Sequence, residues 1–234
     1  MKTAAALFSI RFQQMKRGSV AGVVWAIALG AFAAEDSVKI DNDQARILVV
    51  RSAPGAKSAL HEHPMNRVMI YLDAGKMTLT DPKGKVETLK FKAGEVLWSP
   101  ASGLHTSLNV SDHAVRIVEV ELKSKPAPPS TAKPPELDWV KVDPKHCMVE
   151  IENDQVRVIR ARYGPHEKGV LHEHALNFMV TFLPAGALKG TTPDGQSATA
   201  TKMAGDVVWG RPAKHVEENL NDTPLEVLVV EFKK

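Results

Sequence analysis

The chain has 234 residues, 44% of them hydrophobic and 24% charged, which is enough apolar material for one large or two small cores and excludes a wholly disordered protein. Its net charge of +3 comes from the first 33 residues, which hold four basic and no acidic side chains and leave 26 basic against 27 acidic residues in the rest. A nucleic-acid-binding domain would carry a basic face, so this composition argues against one. The single cysteine, Cys147, excludes an internal disulfide and a Cys-rich metal site, and we interpret it as a core residue.

Residues 1–33 have the pattern of a secretory signal peptide. A basic pair precedes the uncharged run Ser19 to Ala34, which is shorter than the about 20 residues that a membrane span needs. The run ends in the small-x-small sequence Ala31-Phe32-Ala33, which is typical of a cleavage site. The alternatives are an uncleaved anchor or a buried first helix, and a start at Met15 would give a more compact signal. We predict a periplasmic or secreted mature protein.

The remainder of the chain is an internal duplication. A shift of 111 positions aligns Leu60-His61-Glu62-His63 with Leu171-His172-Glu173-His174, and Gly94 and Trp98 with Gly205 and Trp209. Beyond the tryptophans the shift is 110, and it pairs His105 with His215 and Glu121 with Glu231. Because the register holds along the whole unit, the chain contains two copies of one structure.

A proline-rich segment separates the copies. Five prolines fall within the twelve residues from Ser124 to Pro135, and such a run feeds neither a helix nor a central strand. We predict an extended linker at 124–136. It divides the chain into a first barrel at 38–123 and a second at 137–234.

Each copy is predicted to be all-β. Short runs rich in β-branched residues, such as Val68 to Leu72 and Val115 to Val120, indicate strands. The turn sequences Asp81-Pro82-Lys83-Gly84 and Thr192-Pro193-Asp194-Gly195 indicate hairpins. Many short strands with regular turns predict a sandwich or barrel, and a small barrel has room inside for one small ligand.

Six of the nine histidines fall in the matching patterns of the two copies: His61, His63 and His105 in the first, and His172, His174 and His215 in the second. The two histidines of a His-x-His sequence on a strand point to the same face. A third histidine from another strand completes a set of three imidazoles, which suits Fe, Mn, Zn, Ni or Cu. We predict a divalent transition metal at these residues, possible in both barrels or in one only.

These motifs resemble those of the cupin superfamily, and specifically of the two-domain bicupins. The first family motif is matched by Gly55, His61, His63 and Gly75, and by Gly169, His172, His174 and Gly186 with the first glycine shifted. The second is matched by Gly94, Pro100, Gly103, His105 and Asn109, and by Gly205, Pro212, His215 and Asn219 with one residue deleted. The chain also resembles small cupins grouped with a β-alanine degradation protein. The resemblance implies two tandem jelly-roll barrels, each with a metal inside.

The chain departs from the family at the glutamate that follows His-x-His. Arg67 stands at this position in the first copy and Phe178 in the second. If Arg67 points inward, its fixed charge opposes a metal and favours the second barrel. If the deletion displaces His215, the first barrel is favoured. Both alternatives stay open at this stage.

Other polar and aromatic residues are assigned by default to packing or solvent. We expect Trp98 and Trp209 in core or rim packing, and the histidines His113, His146 and His166 in solvent. Glu217 and Glu218 are interpreted as a solvated pair, with a carboxylate near the mouth of the barrel as the alternative. For Asn66 and Asn177, an orienting role behind the histidines and a surface turn fit equally well.

Two functional hypotheses follow. The first is an exported bicupin whose metal acts as a Lewis acid or oxygen-activating centre on a small organic acid or oxygenated compound; the resemblance implies dioxygenase, decarboxylase or isomerase chemistry. The second is a non-catalytic bicupin that binds a small ligand or serves a structural role without metal. Either would have a small-molecule partner, no nucleic acid, no membrane contact after signal removal, and a monomeric or homodimeric state.

Overall fold

The structure is a computed structural model that describes residues 35–126 and 134–233. The predicted signal peptide at 1–33 and the central residues of the predicted linker, 127–133, lie outside the described residues. Within the described part, no helix is long and apolar enough to cross a membrane.

Nine antiparallel strands form the first barrel. They are β1 (Glu35–Asp41), β2 (Ala45–Ser52), β3 (His61–His63), β4 (Arg67–Tyr71), β5 (Gly75–Thr80), β6 (Val86–Phe91), β7 (Val96–Ser99), β8 (Ser102–Asn109) and β9 (Val115–Leu122). One sheet has the order β1-β2-β9-β4-β7 and the other has the order β3-β8-β5-β6.

The second barrel repeats this topology after one short helix. Its elements are α1 (Trp139–Val142), β10 (Cys147–Glu152), β11 (Val156–Tyr163), β12 (His172–His174), β13 (Phe178–Phe182), β14 (Gly186–Thr191), β15 (Ser197–Lys202), β16 (Val207–Gly210), β17 (Ala213–Asn219) and β18 (Leu225–Phe232). The sheet orders are β10-β11-β18-β13-β16 and β12-β17-β14-β15, strand for strand those of the first barrel. The predicted all-β fold of two tandem jelly-roll barrels is confirmed.

The two predicted hairpin turns form where the sequence places them. Gly84 and Gly195 have φ angles of 83° and 85°, a left-handed conformation that glycine adopts without steric cost. The carboxylate of Asp81 accepts hydrogen bonds from the backbone N–H groups of Lys83 and Lys85, at 2.8 and 2.9 Å. The side chain and the glycine together fix the connection between β5 and β6.

The central strands β9 and β18 are buried on both faces. Alternate residues point to opposite sides of a strand, so Ile117 of β9 and Val229 of β18 line the interiors of their own barrels. Val120 and Val230 face the other way, into a hydrophobic cluster that both barrels share. This shared core comprises Ala45, Ile47, Val68, Ile70, Leu72, Val118, Val120 and Leu122 of the first barrel and Val156, Val158, Met179, Leu228, Val230 and Phe232 of the second. The two five-stranded sheets therefore hold the barrels together.

Two side-chain hydrogen bonds cross between the barrels in a reciprocal pattern. The amide of Asn66 donates to Gln155 at 2.6 Å, and the amide of Asn177 donates to Gln44 at 2.7 Å. These four residues occupy matching positions in the two copies. The asparagine amides therefore join the barrels, a role that the sequence did not suggest, and Oδ1 of Asn66 also accepts a hydrogen bond from the backbone N–H of Ala101 at 2.9 Å, in the connection between β7 and β8.

Met179 and Met203 provide a matched test of the shared core. Met179 is completely buried, whereas 67% of Met203 is exposed. Met179→Ala opens a cavity between the barrels, and we expect the free energy of unfolding to fall by about 2–5 kcal/mol. Urea unfolding of the two variants checks this; an equal effect of Met203→Ala would contradict the assignment of the shared core.

Candidate functional site

The first barrel brings its three predicted histidines together. His61 and His105 are directly paired across β3 and β8, and His63 lies on the same face two residues along. The ring centroids are 4.6 Å apart for His61 and His105, 4.9 Å for His61 and His63, and 5.3 Å for His63 and His105. One nitrogen of each ring lies within 4.8 Å of those of the other two. We call this group the first histidine trio.

The second barrel holds an equivalent group, the second histidine trio. His172 pairs directly with His215 across β12 and β17, and the centroid distances among His172, His174 and His215 are 4.6, 5.0 and 5.3 Å. These spacings reproduce those of the first trio to within 0.1 Å. The one-residue deletion before His215 therefore does not displace this imidazole, and the alternative that favoured the first barrel on that ground was wrong.

Hydrogen bonds at Nδ1 leave the Nε2 atoms available. The Nδ1 atoms of His61, His105 and His172 lie 2.8–2.9 Å from the carbonyl oxygens two residues earlier in the chain. A carbonyl only accepts, so each Nδ1 carries the proton and each Nε2 keeps its lone pair. Imidazole in this form is a metal ligand.

In each trio, carboxylates lie beside the second histidine of the His-x-His sequence, which is His63 or His174. We call this residue the middle histidine. The Nδ1 atom of His174 lies 3.0 Å from Glu231, and that of His63 lies 3.3 Å from Glu119 and 3.9 Å from Glu121. A carboxylate behind a ligating histidine fixes the orientation of the ring and raises its basicity. The duplication pairs Glu121 with Glu231, but their place behind the histidines was missed. The available signal was two acidic residues in phase with Val115 and Ile117 on a strand rich in β-branched residues.

The residues present fit a divalent transition metal. Nε2 of His172 and of His215 are both buried and have no hydrogen-bond partner among the described residues. A buried polar atom without a partner costs free energy, and a metal at the centre of the trio would satisfy both. Three imidazole nitrogens from neighbouring strands are also the donor type that Zn, Fe, Ni and Cu accept.

The environment favours neutral imidazoles. Burial, together with the positive charge of Arg67 and the neighbouring histidines, lowers the pKa of His63 to about 3. Burial is also the main reason why the pKa of His172 falls to about 4. Neutral imidazole is the state that binds metal.

Arg67 points inward, but its charge is neutralised. Its Nη1 donates to Glu119 at 2.7 Å, its Nη2 donates to Ser99 at 2.9 Å, and the side chain is 8% exposed. The predicted electrostatic penalty for a metal in the first barrel is therefore offset by an adjacent carboxylate. The prediction from Arg67 alone was incomplete because its partner lies 52 residues along the chain.

The second barrel replaces this polar group with an apolar one. Phe178 stands where the first barrel has Arg67, and Gly210 stands opposite it where the first has Ser99. A side-chain carbon on Gly210 would come within 2.2 Å of the Phe178 ring, so the glycine makes room for the phenyl group. Val229 occupies the place of Glu119.

Two further residues near the second trio were missed or misassigned. Glu217 was expected in solvent, but it is only 8% exposed, and its Oε1 lies 3.5 Å from Nε2 of His215. Burial opposes its ionisation, but the contact with His215 and the charges of the neighbouring histidines hold the pKa of Glu217 below its usual value. Trp139 of α1 stacks on His172 with the ring centroids 4.3 Å apart and the planes 8° from parallel. Glu218 pairs with Lys189 at 3.5 Å.

The two trios differ in access. His172 and His174 are 0% and 1% exposed, because Trp139 covers the former and Phe178 stacks on the latter at 4.2 Å. His61 and His63 are half-buried. The first trio is thus the more accessible of the two.

Three other predictions concern burial: those for the two tryptophans and for Cys147 agree with the structure, and the one for His146 does not. Trp98 and Trp209 pack against the shared core as expected. Cys147 is buried, and burial raises the pKa of its thiol, which fits a core residue. The solvated role of His146 was wrong: it is 9% exposed, and its two ring nitrogens lie 2.7 Å from Asp143 and 3.1 Å from Glu167.

Comparison with known proteins agrees with this architecture. Residues 48–121 match the Cupin domain family. BauB, a beta-alanine degradation protein of Pseudomonas aeruginosa, is 32% identical over 87 residues, which cover 37% of this chain and 90% of BauB. The chain therefore belongs to the cupin family, and its duplicated barrel makes it a bicupin.

Solved structures share the two-barrel fold. The formate complex of an oxalate decarboxylase from Lactobacillus farciminis is 16% identical with a TM-score of 0.58, and the alignment covers 86% of this chain and 81% of that one. AerE from Microcystis aeruginosa is 11% identical with a TM-score of 0.59, over 86% of this chain and 98% of AerE. At these identities the likeness concerns the fold alone.

The polar group around Arg67 can be exchanged for its apolar counterpart. Arg67→Phe leaves Glu119 buried without its cation and crowds Ser99, so we expect a loss of about 3–5 kcal/mol in the free energy of unfolding. Adding Ser99→Gly and Glu119→Val copies the second barrel and should recover most of that loss. The reason is that well-packed apolar residues replace a buried ion pair at little cost in stability. Chemical denaturation of the single and triple variants decides; a triple variant no more stable than the single one would contradict the equivalence.

The lowered histidine pKa values predict how metal-free protein responds to pH. The unfolded chain binds protons at His63 and His172 below about pH 6.5, whereas the folded state takes them up only near 3 and 4. Their contribution to stability is therefore present above pH 6.5 and is lost as the pH falls towards 4. Urea midpoints measured in chelator should fall over this range, and less steeply in His63→Gln/His172→Gln; equal slopes would contradict the assignment.

Proposed function

We propose that the protein is an exported metal-binding bicupin, with a divalent transition metal held by three histidines in each barrel and a small organic acid or oxygenated compound bound at the metal of the first barrel. The observation that carries this is the convergence of three imidazoles in each barrel, with the Nδ1 atoms of His61, His105 and His172 bonded to backbone carbonyls and their Nε2 atoms left to bind metal. Fe, Mn, Zn, Ni and Cu all fit this donor set.

The charge balance in the first barrel favours an anionic ligand. The three imidazoles are uncharged donors, Glu119 is paired with Arg67, and Glu121 is paired with Arg46 at 3.1 Å. A divalent ion at the trio would therefore keep its positive charge, which attracts a carboxylate or another oxygen anion. Three protein ligands leave coordination positions open for such a ligand.

The first barrel has residues suited to handling a small acid. When bound, the metal would supply Lewis-acid or oxygen-activating chemistry. Glu119 and Glu121 hold the ring of His63 and keep its Nδ1 engaged, so the direction of its Nε2 is fixed. The half-buried positions of His61 and His63 give a small molecule more access than the fully buried His172 and His174 of the second barrel.

Export and a monomeric state complete the proposal. Export is supported by the signal-like pattern of residues 1–33 and by the single, buried cysteine. A monomer is supported by the shared core, because the five-stranded sheet of each barrel is already covered by the other copy.

Metal analysis of paired variants tests the proposal. Protein purified without chelator, or reloaded with each candidate metal, should bind about two ions per chain. His61→Ala/His63→Ala and His172→Ala/His174→Ala should each lose one, whereas His113→Ala, which removes an exposed histidine outside both trios, should lose none. In the variant that keeps only the first trio, a small carboxylate such as formate or oxalate should change the electron paramagnetic resonance spectrum of bound Mn²⁺ or Cu²⁺.

Two results would contradict this proposal. Fewer than about 0.1 ion per chain under saturating metal would favour the non-catalytic ligand-binding protein. Loss of metal in His113→Ala equal to that in the paired variants would show that binding is not at the trios.

A further inference from the structure

We propose that Glu217 is a fourth, carboxylate ligand of the metal in the second barrel, which makes this site a closed four-ligand centre unlike the open three-histidine site of the first. The inference rests on the proposed metal binding of the second trio. It concerns a residue on β17, away from the position of Phe178 where the family resemblance places a glutamate.

The position of Glu217 follows from the alternation of the strand. His215 and Glu217 are two residues apart on β17, so both side chains point into the barrel. Oε1 of Glu217 lies 3.5 Å from Nε2 of His215, the same nitrogen that lacks a hydrogen-bond partner. Two ligand atoms at 2.0–2.2 Å from a tetrahedral metal are about 3.4 Å apart. The observed separation therefore suits neighbouring ligands of one ion and is too long for a good hydrogen bond. Among the described residues of the second barrel, the ligand atoms that all lie within 4.8 Å of one another are those of the three histidines alone, so the proposal rests on the contact of Glu217 with His215.

Histidines, and no side chain of fixed positive charge, lie beside the carboxylate of Glu217 among the described residues. No lysine or arginine of the described chain forms an ion pair with it; its contacts are His215 and the hydroxyl of Tyr163, which donates to Oε2 at 3.2 Å. A buried carboxylate needs a cation or several donors. The other carboxylates beside the trios have arginine neighbours: Glu119 has Arg67, Glu121 has Arg46, and Glu231 lies 3.9 Å from Arg157. Among the described residues, Glu217 is the carboxylate beside a trio that lacks one.

Tyr163 keeps the carboxylate in place. Its side chain is 1% exposed and its hydroxyl bonds Oε2, which leaves Oε1 facing His215. A ligand held by a second hydrogen-bonded residue is oriented before the metal arrives.

Aromatic side chains close the site around the ligands. Trp139 stacks on His172 and Phe178 stacks on His174, at centroid distances of 4.3 and 4.2 Å. In the first barrel Ser107 stands at the position of Glu217, and the trio is more exposed. Four protein ligands shielded from water are typical of a structural metal site, whereas an open position is typical of a reactive one.

The test uses His61→Ala/His63→Ala as the parent, so that only the second site binds metal. Into it we introduce Glu217→Gln, the matched control Glu218→Gln and the orienting variant Tyr163→Phe. Calorimetric titration with Zn²⁺ should show affinity reduced by more than about 100-fold in Glu217→Gln, beyond the 10–100-fold that loss of an outer residue causes. Tyr163→Phe should fall within that smaller range, and Glu218→Gln should bind like the parent. The visible spectrum of bound Co²⁺, which reports coordination, should change in Glu217→Gln.

Stability separates a ligand from a merely structural carboxylate. Zn²⁺ raises the unfolding midpoint of a protein that binds it in the folded state, and this rise should be smaller in Glu217→Gln than in the parent, whatever the substitution does to the metal-free midpoint. An equal rise of the midpoint on adding Zn²⁺ in the variant and the parent, or unchanged Zn²⁺ affinity and Co²⁺ spectrum, would overturn the role of Glu217 while leaving the trio as a metal site. Failure of the parent itself to bind metal would instead refute the proposed function.

Discussion

The structure depends on the alternation of side chains along two strands that have no solvent-exposed face. In β9 and β18, one set of residues lines the barrel that contains the strand, and the other set packs against the opposite barrel. The same strands place Glu121 and Glu231 behind the middle histidines. A shift of one residue would exchange the two faces, putting carboxylates into the shared core and valines behind the imidazoles. Fold, pairing of the barrels and histidine geometry are thus set by one register.

The two copies keep this frame and differ in the side chains around the histidines. The centroid distances within the trios agree to 0.1 Å, yet an ion pair in one copy corresponds to a phenyl ring, a glycine and a valine in the other. These changes occur together because Phe178 needs the space that Gly210 leaves, and Arg67 needs the charge of Glu119. Each barrel therefore has a self-consistent interior, and the two interiors offer different surroundings to a ligand.

Much of the fold and the histidine groups could be predicted from the sequence, because their signals are local or repeated. Each hairpin turn is encoded within four residues. In a His-x-His sequence on a strand, the two histidine side chains must point to the same face. The duplication predicted two copies of one structure, and the two barrels have the same strand order. What was missed depends on contacts between distant residues or on differences between the copies. Arg67 meets Glu119 only in the folded barrel, and Glu217 corresponds to Ser107, so comparison of the copies gave it no support. Trp139 belongs to a helix that the first barrel lacks.

The reciprocal bonds of Asn66 with Gln155 and Asn177 with Gln44 show that two halves of one chain meet as two subunits of a symmetric dimer would. Because the halves are covalently joined, their association is intramolecular and does not weaken on dilution. In every molecule each half packs against the other half of the same chain, so a substitution changes one half only. In a dimer of identical subunits the same substitution would be present in both. Fusion of this kind lets one half change its site while the other half keeps the fold stable. One gene can then encode a protein with two different sites.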